Sequence, residues 1–144
     1  LHTDGAGAGE YRGGSGAVRV YRSMNENQTF TASFGRNKWP VWGAAGGKDG
    51  SVNYFQFIDA DGTVSEPMGI AARRVMNTND VVRMVTATGG GYGNPFKRPA
   101  EKVAMDVKNE YITVEQAKAD YGVLVDPETF KVLGLTEERQ KAEK

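Results

Sequence analysis

Val81-Val82-Arg83-Met84-Val85-Thr86-Ala87 runs directly into Thr88-Gly89-Gly90-Gly91-Tyr92-Gly93-Asn94-Pro95, and beyond Pro95 the chain changes character. The first half of this stretch is dense in β-branched residues and reads as a strand. The glycine cluster ends it. After Pro99, which suits the first turn of a helix because its missing N–H costs nothing there, Val103, Val107 and Tyr111 recur at helical spacing. Glu101, Lys102, Asp106 and Lys108 are then expected toward solvent. A strand-rich part followed by a short helical part is the signature of an α+β chain.

Working outward, an earlier glycine cluster, Gly7-Ala8-Gly9-Glu10-Tyr11-Arg12-Gly13-Gly14-Ser15-Gly16, precedes Ala17-Val18-Arg19-Val20-Tyr21-Arg22. That stretch alternates apolar and basic side chains with the period of a half-buried strand. Asn25-Glu26-Asn27 supplies turn residues, Thr29 to Phe34 alternates again, and a hairpin between the two is expected. Residues 52–58 read as another strand, and Asp61-Gly62 offers a tight turn after it. Thr113 and Gln116 form a capping-box pattern for a second helix that ends at Gly122. Val123-Leu124-Val125 and Phe130-Lys131-Val132-Leu133 flank Asp126-Pro127-Glu128-Thr129, a turn. Thr136 is placed to cap a final charged stretch that is expected to fray. The expected fold is α+β, mainly antiparallel β with a small C-terminal helical appendix. Residues 1–98 form the β-rich body, residues 99–144 the appendix packed on it, as one domain of a longer chain. Val103, Val107 and Tyr111 should face that body.

Composition narrows the function classes. At 144 residues, 39% hydrophobic and 25% charged, the chain is ordinary for one soluble domain. At this size folding buries roughly 68–70% of the accessible surface. Lys+Arg and Asp+Glu balance at 18 each, so no global field favours nucleic acid or an anionic membrane. The sequence has no cysteine, which excludes disulfides and thiolate metal sites. No apolar run approaches the ~18 residues of a spanning helix. No internal repeat is visible.

Catalytic constellations are sparse. His2 is the one histidine, and a metal site needs several converging ligands. Asp59-Ala60-Asp61-Gly62 resembles the start of a calcium loop, but the position of the bidentate Glu is Ile70. A hairpin turn is the better reading. Neither glycine cluster contains a P-loop, so Lys48 and Lys97 are not P-loop lysines. Gly89, Gly90 and Gly91, between a strand and a helix, are read either as an anion-binding nest or, preferably, as a turn that lets Tyr92 pack inward. Residues 36–48 gather Arg36, Lys38, Lys48, Trp39, Trp42 and several glycines. Aromatics with nearby cations are enriched at interfaces and ligand sites, although tryptophans covering an open sheet face would look the same. Arg12, Arg36, Lys38 and Trp39 are expected to come together on one surface, a subunit interface or a pocket wall.

Taken in order, these motifs resemble the C-terminal portion of the hydantoinase B/oxoprolinase family. The matching elements are Asp4-Gly5-Ala6 through Gly16, then Trp39-Pro40-Val41-Trp42-Gly43 with Gly46-Gly47-Lys48, and the Thr88–Pro95 cluster. Asp106-Val107, Thr113-Val114-Glu115-Gln116-Ala117 and Asp120-Tyr121-Gly122-Val123 complete the series. Family members tend to carry Pro-Pro-Trp-Gly where this chain has Pro40-Val41-Trp42-Gly43. The resemblance implies part of a cytoplasmic, ATP-dependent enzyme that opens cyclic amides such as hydantoin, N-methylhydantoin or 5-oxoproline. It implies a hydantoinase A-like subunit or domain as partner, besides the rest of its own chain. ATP and a divalent metal are implied for the full enzyme, with no cofactor or metal site in these residues. A related acetone- or acetophenone-type carboxylase and a non-catalytic docking module are the alternatives. The resemblance transfers no catalytic residue to these positions.

Overall fold

The computed structural model describes residues 2–3 and 5–142; Asp4 of the first glycine motif lies outside the described residues. Two compact units interleave along the chain, one of residues 1–2, 16–40 and 52–87, the other of residues 3–15, 41–51 and 88–144. The second unit therefore draws on both sides of the 98/99 line read from the sequence.

The first unit is all strand. β1 (Val18–Arg22), β2 (Gln28–Ser33), β3 (Tyr54–Ile58), β4 (Ile70–Met76) and β5 (Val81–Val85) form two antiparallel sheets, ordered β1-β5-β3 and β2-β4. The mainly antiparallel architecture expected from the short, turn-bounded strands is what the backbone shows. The expected β1–β2 hairpin is not formed: β1 pairs with β5, and β2 with β4. The partner of β2, Ile70–Met76, is a strand that the sequence reading passed over. Its Arg73 and Arg74 interrupt the apolar run, and Arg73 takes a left-handed conformation (φ 52°) at a bulge in the β2–β4 ladder. The Thr31 hydroxyl accepts the Arg73 N–H at 3.1 Å, replacing the ladder bond that the bulge displaces.

Period-two alternation decides the core of this unit. Phe55, Phe57 and Val82 point to one face and are buried, with Phe30, Phe34 and Met84 packed against them. Phe30 meets Phe55 and Phe57 edge-on at 5.9 and 5.5 Å, a favoured aromatic geometry. The Asp61-Gly62 turn forms as expected, with Gly62 at φ 89° and its N–H on the Asp59 carbonyl at 2.8 Å.

The second unit holds the helices α1 (Ala100–Lys108), α2 (Val114–Tyr121) and α3 (Glu137–Ala142), and a hairpin of β6 (Val123–Val125) with β7 (Val132–Leu135). Pro99 sits at the N-cap of α1. The α2 capping box is complete: the Thr113 hydroxyl accepts the Gln116 N–H at 3.2 Å, and the Gln116 side chain accepts the Thr113 N–H at 2.8 Å. Gly122 closes α2 in the left-handed region, φ 63°. Asp126 accepts from the N–H groups of Glu128 and Thr129 and from the Thr129 hydroxyl, which makes the β6–β7 turn.

The core of this unit joins Val103, Ala104 and Val107 of α1 to Ala117 and Tyr121 of α2, to Ile112, Val123 and Val125, and to Ala8 of the first glycine cluster. Val103 and Val107 are thus buried among the unit's own helices and hairpin, together with Ala8 from the 1–98 segment. Tyr111 lies past the end of α1 and is half-buried. The final stretch is also tied down: Arg139 of α3 is buried and donates to the carbonyls of Tyr121 (3.0 Å) and Arg98 (2.9 Å).

Candidate functional site

Three glycine-rich segments of the second unit, near residues 5–15, 41–50 and 88–95, are hydrogen-bonded to one another through their backbones. Gly7 N–H donates to the Gly89 carbonyl at 2.9 Å, Lys48 N–H to Ala8 at 2.7 Å, and Gly91 N–H to Lys48 at 2.9 Å. Ala44 N–H donates in turn to Gly91, and Tyr11 and Tyr92 exchange N–H and carbonyl in both directions. Glycine is required here for space. A Cβ at Gly13 would meet the backbone of Gly89, one at Gly90 that of Trp42, and one at Gly91 that of Ala8. Backbones can approach this closely only without side chains between them.

The N–H groups of Gly89 and Gly91 are engaged by the carbonyls of Gly14 and Lys48, so the segment is a structural weave. Contrary to the expectation from the sequence, Tyr92 does not pack inward. Its side chain is 57% exposed, because both backbone groups face Tyr11 and the ring lies outside, 6.3 Å from that of Tyr11. Trp42, in the same unit, is 69% exposed. The weave therefore carries large aromatics on a backbone with little freedom to move, which lowers the entropy cost of using them as contacts.

Arg12 is the opposite case. Its side chain is almost buried, and its Nε lies 3.5 Å from Asp106 Oδ2. Arg98 reaches the same oxygen at 2.8 Å and donates to the Glu10 carbonyl at 3.0 Å. The Arg12 guanidinium sits over the Tyr111 ring, 4.8 Å from its centroid. Two arginines on one carboxylate join the first glycine cluster, and Arg98 just before α1, to the last turn of α1. Asp106, expected toward solvent, is buried between Val103 and Val107 on the core face of α1. Its i+3 spacing from Val103 was the sign that a charge would enter the core.

Beside this clamp, Tyr121 is fully buried and its hydroxyl has no hydrogen-bond partner. Burial pushes its pKa up to about 12, with the nearby arginines opposing. The phenol is therefore neutral at physiological pH and is no general base.

Arg36, Lys38 and Trp39 belong to the first unit, whereas Arg12 and Gly89 to Tyr92 belong to the second. All three are exposed, Trp39 to 76%. Arg36 adopts φ 54°, and its carbonyl accepts the Asn53 N–H at 3.1 Å. Among the described residues no group of three or more His, Asp or Glu side chains converges to hold a metal ion. No helix of the described residues is long and apolar enough to cross a membrane.

Comparison with known proteins places this weave. The profile of the hydantoinase B/oxoprolinase family matches residues 1–95. The B subunit of a putative D-/L-hydantoinase of Pseudomonas sp. (strain NS671) is 31% identical over 127 residues, covering 87% of this chain and 21% of its own length. The β subunit of the caprolactamase of Pseudomonas jessenii is 31% identical over 142 residues, covering 88% and 22%. The crystal structure of the ATP-dependent caprolactamase from Pseudomonas jessenii superposes with a TM-score of 0.73 at 30% identity, over 99% of this chain and 24% of that one. A nucleotide-free acetone carboxylase shares the fold, with a TM-score of 0.72 at 18% identity over 99% of this chain and 23% of that one. The chain spans about a fifth of the length of the curated relatives it matches. The family profile covers well over half of this chain, and the chain belongs to the hydantoinase B/oxoprolinase family.

Proposed function

We propose that these residues are part of a subunit of an ATP-dependent enzyme that opens cyclic amides, of the class of hydantoin, N-methylhydantoin or 5-oxoproline. The observation that carries this reading is the likeness to the ATP-dependent caprolactamase, which extends over 99% of this chain at 30% identity. The acetone carboxylase likeness, at 18% identity, supports the fold and leaves a ketone carboxylase as the second reading. An unstrained amide carbonyl resists water because the nitrogen lone pair delocalises onto it. Transfer of the γ-phosphoryl group of ATP to the amide oxygen removes that protection. Water then adds, the ring C–N bond breaks, and phosphate leaves, which explains why ring opening would consume ATP.

The described residues do not fit a metal or nucleotide site. One histidine, no cysteine and no P-loop are a poor donor set, so ATP and a divalent metal would be handled by a hydantoinase A-like partner and by the rest of the subunit, in the cytoplasm. The role assigned to this portion is structural: the weave holds Tyr11, Tyr92 and Trp42 outward, and Trp39 with Arg36 and Lys38 supplies a cationic, aromatic surface in the first unit. Such surfaces suit protein contact.

The test is nucleotide-dependent turnover by the intact complex of hydantoin, 5-oxoproline, caprolactam and acetone. ADP release matched one to one by a ring-opened product from a cyclic amide is the expected result. ATP-dependent carboxylation of acetone, with the amides inert, would replace this reading with the second.

A further inference from the structure

β1 and β2 follow each other in the chain yet diverge into different sheets, and a groove of about 360 Å³ opens between them. Tyr21, Phe30, Met76, Val82 and Met84 line it, with Thr31 at its margin. Among the described residues, β1 is the end strand of its sheet, and β2 pairs only with β4. The open edge of β1 has a definite hydrogen-bonding frame. Ser23 exchanges bonds with Asp80 and Asn79, and the Ala17 carbonyl accepts from Thr86. Alternation then turns the backbone groups of Arg19 and Tyr21 toward β5, and those of Val18, Val20 and Arg22 toward the open edge.

β1 is also exposed on both faces. Val20 is 61% and Tyr21 51% exposed, whereas the middle strand β5 buries Val82 and Val85. Natural edge strands with apolar side chains on both faces are normally covered or interrupted. β1 has neither a proline nor a bulge. Its charged residues, Arg19 and Arg22, are both cationic and exposed.

From this geometry we infer that β1 receives an added strand, an extended segment of the same subunit from outside these 144 residues. This rests on the proposal above that they are part of a longer subunit, whose relatives are about four times as long. The segment completes the sheet by main-chain bonds to Val18, Val20 and Arg22. One face of it seats apolar side chains over Phe30 and Met84. The other carries carboxylates opposite Arg22, since opposite charges directly across a pair stabilise it and like charges do not.

The intact subunit, prepared with p-benzoylphenylalanine in place of Tyr21 and irradiated without ATP or substrate, tests this. The same label at Leu133, which is exposed in the second unit, is the control. The expected adduct joins position 21, and not position 133, to a peptide of the same polypeptide outside residues 1–144 that alternates apolar residues with Asp or Glu. Val20→Pro removes an edge-facing N–H without touching the β1–β5 ladder, and should lower the yield roughly fivefold, the worth of one main-chain bond. Val20→Ala should keep it. Arg22→Glu, a surface change that leaves folding intact, should also lower the yield, so the inference stays testable if Val20→Pro perturbs the strand. An adduct with a second copy, with another subunit or with residues 1–144, or no adduct at position 21, overturns the inference. Because no turnover is read, a failed amide assay and a missing adduct are separate results.

Discussion

Gly13, Gly90 and Gly91 are glycine for want of space, and Gly14 is not. A Cβ at Gly91 would meet the carbonyl of Ala8, whereas one at Gly14 meets nothing within 4 Å. Gly91→Ala should therefore destabilise the chain by about 2 kcal/mol or more, the scale of an overpacked site, while Gly14→Ala should change stability by less than about 0.5 kcal/mol. Urea denaturation of the two variants checks the contrast. Tyr121 makes a second residue-level prediction. Its folded pKa, about 12, lies above the ordinary value of 10.0, so the folded state holds the phenolic proton more tightly than the unfolded chain does. The group leaves stability level below pH 10 and lowers it as pH rises from 10 toward 12. Tyr121→Phe should remove that part of the alkaline fall in Tm, and should be neutral or stabilising at pH 7, since the buried hydroxyl has no partner to lose.

At the scale of elements, helix ends were the features most open to sequence reading. The capping box at Thr113 and the left-handed Gly122 depend on residues within one turn, and both formed as read. Thr113→Ala should cost about 1 kcal/mol, because the Gln116 N–H loses its acceptor; thermal melts compared with an exposed helix-surface control measure it. Strand pairing was less open. Thr29 to Phe34 was read correctly as extended, but its partner, Ile70–Met76, lies some forty residues away and hides behind Arg73 and Arg74. Alternation identifies a strand without naming its neighbour. The Asn25-Glu26-Asn27 turn was read as closing a hairpin, yet Ser23 pairs with Asp80 and Asn79 instead.

Across the molecule, the Arg12–Asp106–Arg98 clamp ties the first glycine cluster to α1 within the second unit. Asp106→Asn would leave two largely buried arginines without their countercharge, and a loss of about 3 kcal/mol is expected in chemical denaturation. Arg12→Ala should likewise act on stability, because its side chain is largely buried against Asp106. Trp39 should behave in the opposite way. With its side chain 76% exposed, Trp39→Ala should leave the stability of the isolated chain within about 0.5 kcal/mol of the parent. If Trp39 is an interface anchor of the assembled enzyme, the same change weakens assembly by ~2 kcal/mol, read by sedimentation with the partner subunit. Unchanged assembly would remove Trp39 from the interface.

Local signals in the chain were enough for the α+β class, the caps, the Asp61-Gly62 and Asp126 turns and the family, because each depends on residue types a few positions apart. Tertiary structure alone decided the rest. It decided that β1 and β2 part company, that Asp106 enters the core, that Arg12 is buried with it, and that Tyr92 stays outside. Each of these turns on a contact between segments tens of residues apart, such as Tyr11 with Tyr92 or Arg12 with Asp106. A glycine in the sequence permits a close approach, but only the fold supplies the backbone that makes it.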